Sequence, residues 1–289
     1  MENSTIQNST KIEYRPSLAG RLAKVVIPVL HKILPSPLYR PTYDFLYSSY
    51  NKTLRGLYGI KTLTSNLSGD KEFKLKASLA YSLLPYTMGG SKALENAFEI
   101  TALAEKRKLQ GALVECGVAQ GGTSAMMALT SQSLGEQVRQ KWLFDSYEGL
   151  PEPTSEDYEG GKVGEFIRPL PKGSCLGTIE QVSELMFDTL KFPKEEVHLV
   201  KGWFQDTVPI YREKVGEIAV LRLDGDWYES TKVPLDNFFD QVVPGGLIII
   251  DDYGTCFGSR KAVDEFRVNR NITTPLHPDG RGGVWFEKI

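Results

Sequence analysis

Apolar and polar positions follow two rhythms along this chain. Before about residue 110 the apolar residues recur at helical spacing. Leu94, Ala97, Phe98, Thr101 and Ala102 fall on one face of a helix that Ser91 is placed to cap and that runs to about Lys108. Residues 17–34 also have an amphipathic helical pattern, kinked at Pro28. Pro35, Pro37 and Pro41 then punctuate the chain before a tyrosine-rich stretch from Tyr39 to Tyr58. From residue 111 the rhythm changes to short apolar runs separated by helical stretches. The runs Ala112–Cys116, Trp142–Phe144, Val197–Val200, Ile218–Leu223 and Leu247–Ile250 read as strands. Helices are expected at Thr123–Ser133, Thr178–Leu190 and Val233–Gln241, and Gly282–Phe286 reads as a final strand at the sheet edge. Nearly continuous apolar strands alternating with helices predict a doubly wound, mostly parallel α/β sheet covered on both faces. Ligands of such a sheet bind at the carboxyl ends of its strands.

Composition narrows the class. The chain has 289 residues, 41% hydrophobic and 24% charged, which excludes a disordered or fibrous protein. The near-neutral formal charge of -2 argues against a general nucleic-acid binder. That balance conceals an asymmetry. Residues 1–76 hold 12 Lys and Arg against 5 acids, a net of +7, which leaves 22 against 31, a net of -9, for the remainder. Cys116, Cys175 and Cys256 are too few and too scattered for a disulfide framework or a zinc site. No signal-peptide pattern opens the sequence, and the most apolar early run, Val25–Leu34, is too short to span a bilayer. A cytoplasmic protein is expected, with no nucleic-acid partner and no transmembrane span. The basic, aromatic N-terminal section needs a surface to cover, so a homodimer, a higher homo-oligomer or peripheral contact with an anionic membrane is expected of it.

Candidate chemistry gathers at three strand ends. The first is Glu115-Cys-Gly117-Val-Ala-Gln-Gly121-Gly122-Thr-Ser124, where glycines let the backbone approach a nucleotide and the next helix offers free N–H groups. Its spacing is neither G-x-G-x-x-G nor a Walker loop. The second is Asp145-Ser146-Tyr-Glu148-Gly-Leu-Pro151, where Asp145 is placed to accept hydrogen bonds from ribose hydroxyls. The third combines Asp224-Gly-Asp226-Trp-Tyr228 with Asp251-Asp252-Tyr253 on adjacent strands. Neighbouring strands lie about 5 Å apart, so Asp224, Asp251 and Asp252 are expected to converge. Converging carboxylates repel unless a cation holds them, and an all-oxygen set favours Mg²⁺, Mn²⁺ or Ca²⁺. Asp226, in the same turn, reads on its own as an acid behind the ligand oxygens or facing solvent. Of the three histidines, His277 is the one placed to reach an acceptor. Tyr228 and Tyr253 are read either as lining the acceptor pocket or as packing residues.

Taken together, the motifs Glu115–Gly122, Asp145–Pro151, Leu223–Thr231 and Pro244–Tyr253 resemble the macrocin O-methyltransferase family over roughly residues 85–289. The resemblance implies a seven-stranded class I methyltransferase fold, S-adenosyl-L-methionine as methyl donor and a divalent metal, Mg²⁺ or Mn²⁺. It implies Asp224, Asp251 and Asp252 as metal ligands and Asp226 as base. Glu115 and Gly117, in the loop that continues through Gly121 and Ser124, are implied on the methionine side of the cofactor. Asp145, followed by Ser146, is implied at the ribose, and Gly202-Trp203-Phe204 beside the adenine. Tyr86-Thr87-Met88 resembles the segment that folds over the cofactor, and Asp224 is counted on the cofactor side as well. The expected acceptor is a small hydroxylated molecule, a sugar or glycosylated natural product, with residues 1–84 as a helical extension of the catalytic body. Two other readings stay open: a non-catalytic S-adenosylmethionine-binding subunit, and a methyltransferase for lipid-linked or protein acceptors. A nicotinamide oxidoreductase gives no use for the aspartate trio.

Overall fold

The computed structural model describes residues 33–158, 166–167 and 169–289. The helix expected over 17–34 therefore falls, except for its last two residues, outside the described residues, as does the middle of the 152–175 insertion. Among the described residues the first complete helices are α1 (Ser36–Ser68) and α2 (Lys71–Leu83). Pro37 sits at the start of α1, where a missing N–H costs nothing, and Gly69 in the left-handed conformation ends it. Asp70 caps α2 by accepting from the Phe73 N–H. The tyrosine-rich stretch is thus one long helix. It buries Tyr58 and leaves Leu57, Ile60 and Leu63 exposed. No helix among the described residues is long and apolar enough to cross a membrane.

Helix α3 (Gly90–Lys106) leads into the sheet; Ser91 lies inside its first turn and Gly89 takes the cap position. The remaining elements alternate: β1 (Ala112–Cys116), α4 (Gly122–Leu134), β2 (Lys141–Asp145), α5 (Ile179–Ser183), β3 (Val197–Lys201), α6 (Phe204–Val215), β4 (Ile218–Leu223), α7 (Tyr228–Phe238), β5 (Val242–Ile250), α8 (Phe257–Asn269), β6 (His277–Pro278) and β7 (Val284–Glu287). A π-helical turn, Glu184–Thr189, continues α5.

The seven-stranded sheet has the order β3-β2-β1-β4-β5-β7-β6. Strands β1 to β5 are parallel, and β7 runs antiparallel to β5. The closing strand was expected at the edge, but the two residues of β6 pair outside it. Period-two alternation sends Leu113, Leu143, Val220, Leu247 and Ile249 to one core under α3 and α4. Val114, Phe144, Leu221, Leu223, Ile248 and Ile250 go to a second core on the opposite face. The chain order reverses beside β1, so the crevice between the ends of β1 and β4 is the switch point of the sheet.

Candidate active site

A cavity of about 470 Å³ opens at that crevice. It lies within the size range of small-molecule sites. Its floor is made by the turn after β1. Gly117 has φ +95°, and a Cβ there would stand 1.8 Å from the Asp224 carbonyl oxygen, so no side chain fits between these two strand ends. Asp145, at the end of β2, holds the turn in shape. Its Oδ2 accepts from the N–H groups of Val118 (2.7 Å) and Ala119 (3.0 Å), and its Oδ1 from that of Tyr147 (2.7 Å). Burial raises the Asp145 pKa, and those three amides oppose the rise.

Glu115 lies beneath this floor, completely buried. Thr123 Oγ1 donates to it at 2.6 Å and Ser124 Oγ makes a second, shorter hydrogen bond. Both donors sit in the first turn of α4, so Glu115 fastens the glycine loop to the sheet from below. Burial raises its pKa against the pull of Arg222 and the two hydroxyls.

The aspartates converge as the strand ends dictate. One carboxylate oxygen each from Asp224, Asp251 and Asp252 lies within 4.8 Å of the others. Asp226, Asp252 and the Cys256 thiol form an overlapping group with the same spread. Asp226 has φ +60° at the apex of a three-residue turn closed by the Trp227 N–H and the Gly225 carbonyl (2.6 Å). Such backbone is strained, and strain of this kind gathers at functional sites.

Charge is distributed unevenly over the cluster. Asp224 is pushed up by burial, but Arg222 and Arg281 outweigh this and hold it below the usual carboxylate value. Asp251 pairs with Arg222 at 2.6 Å and also with Arg281. Asp226 and Asp252 form no ion pair among the described residues. Burial and the neighbouring Asp224 push Asp226 up to about 7, and burial with Asp226 and Asp224 drives Asp252 well above its ordinary range. The close-set oxygens outnumber the two arginines beside them, and an all-oxygen donor set of this kind fits a hard divalent cation.

Met88, Gly117, Asp145, Ser146, Trp203, Phe204, Asp224, Asp226, Asp251 and Asp252 all line the cavity. Thr87, Glu115, Gly121, Ser124 and Gly202 stand behind that wall. Gly121 is the cap of α4, and the Gly202 N–H donates to the Asp145 carbonyl at 2.9 Å. The Thr87 hydroxyl accepts from the Gly89 N–H at 3.2 Å. His277 is exposed on β6, where it stacks on Trp285 with ring centroids 4.3 Å apart, and it does not line the cavity. Tyr228 and Tyr253 do not line it either; their hydroxyls donate to Glu265 and Asp264. Sequence reasoning missed Arg222, Arg281 and Trp227. For Arg222 a signal existed, since an arginine inside the otherwise apolar Ile218–Leu223 run must be buried with partners.

A family model described as Macrocin-O-methyltransferase (TylF) matches residues 67–288, so α2 lies within the match. Among curated relatives, demethyldecarbamoylnovobiocin O-methyltransferase of Streptomyces niveus is 34% identical over 203 residues, 70% of this chain and 76% of that one. An 8-demethyl-8-(2,3-dimethoxy-alpha-L-rhamnosyl)-tetracenomycin-C 4'-O-methyltransferase of Streptomyces olivaceus is 35% identical over 202 residues, 69% of this chain and 75% of that one. Among solved structures, the O-methyltransferase NovP superposes with a TM-score of 0.60 at 33% identity, over 70% of this chain and 82% of its own. The calicheamicin methyltransferase CalS11 shares the fold at 16% identity, with a TM-score of 0.55 over 99% of each chain.

Proposed function

From the premise that this chain belongs to the macrocin O-methyltransferase family and is an O-methyltransferase, we propose that it methylates a sugar hydroxyl of a glycosylated natural product. The donor in this reading is S-adenosyl-L-methionine, and Asp224, Asp251 and Asp252 hold Mg²⁺ or Mn²⁺. The observation that carries the proposal is the position of these three acids: they line the same cavity as the glycine turn at Gly117. Support for the acceptor class comes from the relatives, whose names specify novobiocin, rhamnosyl-tetracenomycin and mycinamicin substrates.

When bound, the donor supplies a methyl group on a positively charged sulfur, and the cation supplies charge that makes an acceptor hydroxyl more acidic. The protein's own tasks are alignment and proton removal. Asp145 and the turn after β1 hold the ribose and methionine side, and Trp203 and Phe204 flank the adenine. Met88 covers the donor from the α3 side. Asp226 takes the proton of the acceptor hydroxyl as that oxygen bonds to the methyl carbon and the carbon–sulfur bond breaks, leaving neutral S-adenosylhomocysteine. Asp226 lines the same cavity as the aspartate trio, which sets its carboxylate beside the place an acceptor enters. His277, away from the cavity wall, has no part in this scheme.

The test is a methyl-transfer screen with labelled donor over glycosides, their aglycones and lipid-linked sugars. Label is expected on a glycoside hydroxyl; label confined to aglycones, lipid-linked sugars or protein would contradict the acceptor class.

A further inference from the structure

Arg222 stands on β4, the strand between the glycine turn and the acidic trio. Register places it beside Glu115 of β1 and Ile249 of β5. Asp224 lies two residues further along β4, on the same face of the sheet. The side chain is 1% exposed and touches three acids. Its Nη1 donates to Glu115 Oε1 (2.6 Å) and Asp224 Oδ2 (2.8 Å), and its Nη2 donates to Asp251 Oδ1 (2.6 Å).

A guanidinium does not lose its proton, so burying one keeps a full charge inside the fold. A single carboxylate is enough to compensate it. With three, the planar fork does more than neutralise. It fixes one oxygen of Asp224 and one of Asp251, while Arg281 meets the other oxygen of Asp251 and Asp224 shares a hydrogen bond with Asp252. Through Glu115 the same fork is joined to Thr123 and Ser124, and so to the start of α4 behind the glycine loop.

We infer that Arg222 is a positioning residue that couples the two halves of the site, so that a nucleoside in the glycine loop and a divalent cation on the aspartates each bind more tightly when the other is present. The inference rests on the cation reading proposed above. The physical basis is one shared guanidinium: a cation that draws charge from Asp224 and Asp251 strengthens the bond from Arg222 to Glu115, and Glu115 holds the start of α4 behind the glycine loop. Thermodynamic linkage makes the effect reciprocal. A lysine at this position keeps the charge but has no fork with which to hold three acids at once.

The test is calorimetric titration of Mn²⁺ into the full-length protein, with and without saturating S-adenosylhomocysteine. This probe has a neutral sulfur, so repulsion between sulfonium and cation does not enter. In the unsubstituted protein the nucleoside is expected to tighten Mn²⁺ by at least about 5-fold. Arg222→Lys is expected to weaken Mn²⁺ by about 10- to 100-fold and to bring the coupling factor to about one. Glu115→Gln is expected to keep Mn²⁺ affinity and lose the coupling, a split that a merely structural role does not produce. Near-ultraviolet circular dichroism checks the fold, and if Arg222→Lys does not fold, Glu115→Gln decides alone. Undiminished coupling in the folded variants overturns the role of Arg222 and leaves the cation reading standing. Failure of the unsubstituted protein to bind Mn²⁺ overturns both.

Discussion

Two arginines are buried at opposite ends of the same sheet. Arg139 precedes β2 at the amino-terminal end, with a fully buried side chain that meets one acid, Glu105, through Nε at 2.6 Å and Nη2 at 3.0 Å. Two further N–H groups donate to the carbonyls of Gly111 and Leu109. Charge is balanced there and each guanidinium nitrogen has a partner. Arg222, at the carboxyl-terminal end, meets three acids, with Asp226 and Asp252 close by and unpaired. The first arrangement closes a structure; the second leaves negative charge over, beside a cavity. A parallel sheet presents its ligand crevice at the carboxyl ends, which is where the imbalance lies.

That contrast can be broken at either end. The largest effect is expected from Asp251→Ala, which removes a proposed cation ligand and leaves Arg222 and Arg281 without it. Turnover should fall by about a thousandfold, the scale of several kcal/mol of lost charge stabilisation, in a steady-state methyl-transfer assay. Affinity for S-adenosylhomocysteine measured without metal should change little. At the other end, Glu105→Ala strands a buried guanidinium and should cost about 3–5 kcal/mol in urea unfolding, with kcat unaltered in the folded protein. Asp145→Ala removes the acceptor of three loop amides; S-adenosylhomocysteine binding should weaken by about 10-fold or more by calorimetry. The smallest effect is expected from Asp236→Ala, which deletes an exposed ion pair with Lys232 on α7. Unfolding free energy should move by less than about 0.5 kcal/mol, because solvent-exposed pairs contribute little.

The strands were legible because burial on both faces leaves an unbroken apolar run. The bounds of β1 and β4 match the sequence reading residue for residue. Helices were less so. α7 starts at Tyr228 and not at Val233, since Pro234 inside it suggests a boundary that packing overrides. Apolar periodicity assigns no helix at α6 or α8, where few positions are buried and, in α6, Pro209 interrupts the pattern. In the site, aspartates just beyond apolar strands announced themselves. Arg222 did not announce its role, since its partners Glu115 and Asp251 lie 107 and 29 residues away and meet it only through the sheet order. His277 looked available as a loop histidine, but pairing of β6 with β7 sets it on Trp285.

In the proposed reaction the glycine turn and the aspartate trio act as one site that needs a divalent cation. The most direct measurement is the initial rate of methyl transfer by metal-stripped protein in excess EDTA, then after Mg²⁺ is restored, with S-adenosylhomocysteine affinity followed in parallel. Loss of turnover on stripping, recovery with Mg²⁺ and nucleoside binding in both states are the predicted result. Full turnover in excess EDTA would contradict it.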